Sequence, residues 1–436
     1  MTGAAAHALR RVNWEFVMSL LRPAGQVSGR DAPHRRGIFQ RLRASSRVRA
    51  AALVAPLLLL GACAATVEVK APPLALFDDA AFAPASQPID PKDVFKLSPE
   101  MQHYIDDHIM PFSRHADLRQ ALLDELYTRD KLRLDYDATM TRNASEAFAA
   151  RSGNCLSLVL MTGAFAQAMG LEVTYQQITT DEIWSRAGDM YFMSGHVNLQ
   201  LDRQLADRAA AKWDRFGRYT VDFMPSEDGA ALHAHEISER TILAMYMNNR
   251  AAEAMIANQL DDAYWRVRDA LRLDPGFFAA YNTLGVVYLR RDDPAHAELA
   301  LRFALDQEKD NPRVMSNYVQ ALRGLGREDE AKAYEVRLAA VEPFPPFYFF
   351  NRGKAALQAG NLAAARELFQ KELKRDPDYH EFHYWLAITD FDLGDVDNAR
   401  RELALALEDA VKRTDHDLYA AKLDRLKAYR PQPVVQ

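Results

Sequence analysis

Five alanines, Ala263, Ala297, Ala331, Ala365 and Ala399, stand 34 residues apart, four times without slippage. A fixed period of that length means that each unit is one supersecondary piece unable to bury its apolar face alone, so neighbours must stack. The flanking residues keep the same register. Tyr281, Leu284, Gly285 and Tyr288 open one unit, and Leu301 and Ala304 close it. Phe349, Gly353, Phe369 and Pro377 take the corresponding places in a later unit, and Pro275 ends the first. Alanine at the shared position lets the two helices of a hairpin approach closely, while the large residues fill the gap to the next hairpin. The third unit fits worst: Glu335 stands where an apolar residue is expected, and the aromatic run from Phe344 to Phe350 follows it.

This period and its residue pattern resemble the tetratricopeptide repeat. The resemblance implies an all-α solenoid of about five repeats over residues 241–412, closed by a capping helix and tail over 413–436. It also implies a protein partner bound through the repeats.

Residues 140–224 have a different texture. Ser98-Pro99 reads as an N-cap followed by proline at the first helical position, and Leu118, Leu122, Leu123 and Leu126 share one face of a second helix. A short helix at 144–150 ends near Ser152-Gly153, and an apolar helix runs from Cys155 to Met169. Three alternating runs follow, 171–178, 196–201 and 218–223, each suited to a half-buried strand. The polar stretch 202–216 between the last two is helical in composition. A helix packed on an antiparallel sheet is the economical α+β reading for residues 96–240.

Charge bounds the N-terminus and the partners. Residues 1–62 hold ten arginines, no lysine and two acids, which leaves 44 basic against 58 acidic residues from Cys63 onward. An acidic balance lacks the basic footprint that phosphate binding needs, so nucleic acid is not expected as a partner. The basic stretch leads into an apolar run over 50–60 that is too short to span a bilayer and suits a signal peptide. Leu60-Gly61-Ala62-Cys63 resembles a bacterial lipobox, which implies lipidation of Cys63, removal of the leader 1–62 and a lipid anchor as the sole membrane contact. The competing reading is ordinary cleavage after Ala62-Cys63-Ala64, giving a soluble secreted chain. With Ala64 after the cysteine, the lipobox resemblance implies outer-membrane sorting, facing the periplasm. Residues 63–95, rich in Ala, Pro and Asp, read as the lipidated cysteine and a flexible tether.

With Cys63 lipidated, Cys155 has no disulfide partner, and a lone thiol in an oxidising compartment has to be buried or used. It stands at a helix start directly after a turn, where unpaired N–H groups and the helix dipole favour the thiolate. His196 at the start of a strand offers a base, and Asp222 on the next strand offers a carboxylate to orient it. Taken singly, each has a plainer explanation: a packed small residue, a half-buried histidine, a turn-forming aspartate. Their joint order and placement make a workable triad.

Gly153-Asn154-Cys155 opening an apolar helix, Gly170 to Tyr175 after it, Gly195-His196-Val197 and Tyr219 to Asp222 together resemble the bacterial transglutaminase-like superfamily. The resemblance implies a papain-like α+β fold. It further implies Cys155 as nucleophile, His196 as general base and acid, Asp222 as orienter, and a thioester formed on a protein or peptide substrate. Members of that superfamily also include inactive scaffolds. Where the family often has tryptophan two residues after the histidine, this chain has Asn198. The Cys155 N–H serves as one oxyanion donor, and the sequence names no second. No cofactor or metal is expected, because His233 and His235 lack a third convincing ligand and read as solvated linker residues.

Overall fold

The computed structural model describes residues 71–429, apart from 114–116, 129–130, 133, 138–139, 188–189, 203–216, 224–232 and 411–412. The leader, Cys63 and the polar stretch 203–216 therefore lie outside the described residues. Among those described, no helix is long and apolar enough to cross a membrane.

The α+β domain begins with α1 (Pro99–Tyr104), where Ser98 caps by accepting from the Met101 N–H. A π-helical turn carries the chain on through Ile105–Ile109. Helix α2 (Leu118–Tyr127) follows, then β1 (Asp135–Tyr136), α3 (Ala144–Ala150), β2 (Ser152–Gly153) and α4 (Cys155–Ala168). Asn143 and Glu146 form a reciprocal capping box at the start of α3. Nearly all of α4 is buried, as its unbroken apolar sequence requires.

Strands β3 (Glu172–Ala187), β4 (Met190–Asp202), β5 (Tyr219–Val221) and β6 (His233–Ile237) form one antiparallel sheet in the order β5-β4-β3-β6. The segment around His233 and His235, read from sequence as a linker, is thus an edge strand paired with β3. Its polar residues Glu236 and His235 are exposed, which is how an edge strand discourages further pairing.

Five helical hairpins follow: α5 (Glu239–Ile256) with α6 (Leu260–Leu273), α7 (Ala279–Arg290) with α8 (Pro294–Gln307), α9 (Pro312–Gly324) with α10 (Glu328–Val341), α11 (Tyr348–Gln358) with α12 (Leu362–Leu373), and α13 (His380–Asp392) with α14 (Val396–Glu408). Helix α15 (Arg413–Ala428) ends the stack. All five register alanines are fully buried. Close approach explains the glycines too: a Cβ on Gly285 collides with Leu301, and one on Gly353 comes within 2.6 Å of the Phe369 ring. The third unit is as thin as its sequence suggests, with Ala331 the only buried residue of α10 and Val336 72% exposed.

Two features depart from the sequence reading. First, residues 71–95 are not a free tether over their described length. They lie as a strap against α6 and α7. Leu76 and Phe82 are buried, and the Phe82 ring stacks on Tyr264 at 3.8 Å. Tyr288 Oη donates to Leu76 O at 3.0 Å and accepts from the Asp78 N–H at 2.9 Å. Asp262 accepts from both the N–H and the hydroxyl of Ser86, and Trp265 Nε1 donates to Ala83 O at 2.7 Å. Second, the α+β domain and the first three repeats share one continuous core, which stops before the aromatic run at Phe347. The Thr141 N–H donates to Glu253 Oε1 at 2.6 Å, adding a polar tie between the two.

Candidate active site

Cys155 is the first residue of α4, and the turn before it is tightly built. Arg151 adopts a left-handed conformation to end α3. Gly153 approaches so closely that a Cβ there sits 2.6 Å from Ser157 Cβ. Asn154 caps α4, its Oδ1 accepting from the N–H and the hydroxyl of Ser157. The turn is pinned from the other side by parallel pairing of β1 with β2, through Asp135 N–H to Arg151 O and Asp137 N–H to Gly153 O. Cys155 is a free, buried thiol whose Sγ lies 3.7 Å from Gly195 O, and that carbonyl belongs to the residue preceding His196.

His196 and Asn198, two apart on β4, share a face. Asp222 lies one step beyond the Leu199–Val221 pairing, so it stands across from Asn198. Its carboxylate receives His196 Nε2 at 2.9 Å to Oδ1 and 3.0 Å to Oδ2, and Asn198 Nδ2 donates to Oδ2 at 3.1 Å. With Nε2 occupied by the carboxylate, Nδ1 is the ring nitrogen left for the thiol, and Cys155 is a neighbour that acts on the imidazole. Burial of His196 opposes its charged form. The hydrogen bond to Asp222, and the favourable interactions with Asp222 and Cys155, outweigh this and push its pKa up to about 9. The structure thus brings Cys155, His196 and Asp222 together.

Residues not singled out as site groups from sequence complete the setting. Tyr127 on α2 clamps the main chain of Asp222, its hydroxyl donating to Asp222 O at 3.0 Å and accepting from the Asp222 N–H at 3.2 Å. Arg119, fully buried on the same helix, donates to Gly217 O at 2.8 Å and lies over the Tyr219 ring, which fixes the approach to β5. Helix α2 is therefore the platform for the acid of the site. Asn198, where the family resemblance leads one to expect tryptophan, is a buried partner of Asp222. Tyr136, opposite Gly153 in the β1–β2 pair, carries its hydroxyl beside the backbone N–H of Cys155. A tyrosine seventeen residues before Gly153 carries no sequence signal for this. Among the described residues, no group of three His, Cys, Asp or Glu side chains is arranged to hold a metal ion.

Comparison with known proteins bears on the helical half. Residues 350–412 match the tetratricopeptide repeat family. The type IV pilus assembly protein PilF of Pseudomonas aeruginosa is 33% identical over 110 residues, which is 25% of this chain and 44% of that relative, so the chain spans less than half of the relative's length. The solved structure of Pseudomonas aeruginosa PilF aligns with 44% of this chain and 96% of its own at 22% identity and a TM-score of 0.27. A tetratricopeptide-repeat protein of Thermus thermophilus aligns with 43% of this chain at 17% identity and a TM-score of 0.28. The pilus biogenesis factor PilW aligns with 43% at 21% identity and a TM-score of 0.26. The helical region carries tetratricopeptide repeats, an all-α solenoid of the kind that mediates protein–protein interaction.

Proposed function

We propose that the chain acts as an exported, lipid-anchored scaffold whose repeats bind a protein partner, in keeping with its likeness to a pilus assembly protein. The observation that carries this is the five-alanine register, fully buried in every unit, together with the family match over 350–412. Anchoring through Cys63, facing the periplasm at the outer membrane, completes the reading.

A second activity is favoured by a specific observation, the meeting of Cys155, His196 and Asp222. In this reading the α+β domain is a transglutaminase-like cysteine site acting on an amide or peptide bond. The Cys155 thiolate attacks the carbonyl carbon, forming a C–S bond and an oxyanion facing the Cys155 N–H. As the C–N bond breaks, the imidazolium gives its proton to the leaving amine. Water or a second amine then gives up a proton to His196 and displaces the thiolate. Asp222 stabilises the imidazolium throughout. The placement of His196 against Asp222 and beside Cys155 supports this sequence.

One experiment separates the two activities. The gene is replaced by versions encoding Cys155→Ala and a chain truncated before Tyr348, and the wild-type phenotype is scored. A pure scaffold keeps its function with Cys155→Ala and loses it on truncation. Loss with Cys155→Ala at normal protein level establishes the thiol as essential, and retention in both discards both readings.

A further inference from the structure

Thr141 is 1% exposed at the border between the α+β domain and the first repeat, and it divides its polar groups between the two. Its main chain is held by α5: the N–H donates to Glu253 Oε1 at 2.6 Å, and the carbonyl accepts from Arg250 Nη1 at 3.3 Å. Arg250 Nη1 also donates to Glu253 Oε2 at 2.8 Å, so the two side chains grip one residue as a pair. The Thr141 side chain faces α4, where Oγ1 accepts from Asn154 Nδ2 at 2.9 Å. The Arg142 N–H repeats the connection by donating to Ser157 Oγ at 2.8 Å, and that hydroxyl donates to Asn154 Oδ1 at 2.8 Å. A path of hydrogen bonds thus runs from the first repeat to the residue directly before Cys155.

Capping a helix uses only the Oδ1 of an asparagine, and aspartate or serine caps as well. What asparagine adds at position 154 is a donor, and that donor goes to Thr141. Both ends of the amide are therefore fixed, one within the first turn of α4 and the other by a residue that α5 holds in place. That turn sets where Cys155 Sγ stands against Gly195 O and beside His196. Catalytic groups have to be kept within about 0.5 Å of their productive geometry by such supporting bonds. We propose, resting on the acyl-transfer reading above, that Thr141 and Glu253 are positioning residues for Cys155, so that the first repeat completes the thiol site. A second bond between α4 and α5, from Gln167 Nε2 to Glu239 Oε2 at 2.8 Å, lies at the opposite end of α4 and supplies a control.

The test uses the full chain, with labelling of Cys155 by a peptide-like acyl probe, located by mass spectrometry and measured beside thermal melts. Thr141→Val keeps both main-chain bonds to α5 and loses the acceptor for Asn154, and it is expected to slow labelling about tenfold. Thr141→Ser restores the hydroxyl and the rate. Should Thr141→Val not fold, Asn154→Ser keeps the cap, loses the donor and is expected to label as slowly. Glu253→Ala slows labelling likewise. Glu253→Gln retains an acceptor for the Thr141 N–H but breaks the ion pair with Arg250, so its Tm falls while its rate stays near wild type. Gln167→Ala leaves the rate unchanged. A rate that simply follows Tm across the set marks a structural role and overturns the proposal, as does wild-type labelling in folded Thr141→Val. Either result leaves the acyl-transfer reading standing. A wild type that resists the probe altogether overturns that reading and the proposal with it.

Discussion

Asn198 Nδ2 donates to Asp222 Oδ2 at 3.1 Å from the same strand face that presents His196, so one carboxylate is held by both residues. Asn198 is 4% exposed and its Oδ1 has no partner among the described residues, which means the side chain meets a polar cost for the sake of this one bond. Replacing Asn198 with Leu is expected to slow labelling of Cys155 by an acyl-type thiol probe roughly ten- to a hundredfold, the worth of one hydrogen bond to a charged group. The fold should be retained, because leucine matches the volume and removes the orphaned oxygen. Unchanged labelling in a folded variant removes Asn198 from the site.

Cys155 alkylation probes the thiol–imidazole pair directly. Iodoacetamide rates measured from pH 5 to 9 are expected to depend on His196, falling at least tenfold at pH 6 in His196→Ala. Asp222→Asn should impair turnover more than alkylation, since its role is to hold and stabilise the ring. A slow profile, identical in the three proteins, identifies Cys155 as a packing residue and ends the enzyme reading.

Stability should track the same ring. The His196 pKa is raised in the folded protein, to about 9 from an ordinary value of 6.5. A raised basic group stabilises fully below its unfolded pKa, and that stabilisation is lost as pH climbs through the folded value. Thermal melts should therefore fall between pH 6.5 and 9, by up to about 3 kcal/mol of unfolding free energy. His196→Gln should flatten the dependence. A wild-type profile that is already flat across this window contradicts an imidazolium at the site.

The strap makes a prediction about dissection. A fragment from Glu239 to Gln436 exposes Tyr264 and Tyr288 and severs the core shared with α4, so it is expected to melt broadly and at lower temperature than a chain beginning at Pro72. Within the full chain, Phe82→Ala should cost about 3–5 kcal/mol, as removal of a buried, stacked phenylalanine does. Circular dichroism melts decide the matter. A cooperative, undiminished transition in the shorter fragment returns the strap to the status of a loose leader.

The repeats were legible because a 34-residue period is a property of sequence alone, and burial of all five register alanines follows from stacking. Cys155, His196 and Asp222 were legible because their elements carry strong local signals: an apolar helix behind a glycine turn, and alternating strands. Tyr127 and Tyr136 were not, since each reaches the site from a distant segment through tertiary packing that no local pattern encodes. The strap is illegible for a related reason. Its Ala, Pro and Asp residues have no period, and it is held by hydrogen bonds to Asp262 and from Trp265 and Tyr288, nearly two hundred residues away. Strand β6 is equally hard to read, because an edge strand with outward-facing polar residues has the composition of a linker.

Where the strap is fastened also fixes the length of the leash. If lipid is carried at Cys63, the thirteen residues from there to Leu76, the first buried residue of the strap among those described, span at most about 45 Å. A leash running free to residue 95 reaches roughly 110 Å at full stretch. With lipid at Cys63, the helices that carry Tyr264 and Tyr288 are held within the shorter reach of the membrane, and a partner of the first repeats is met close to the lipid surface.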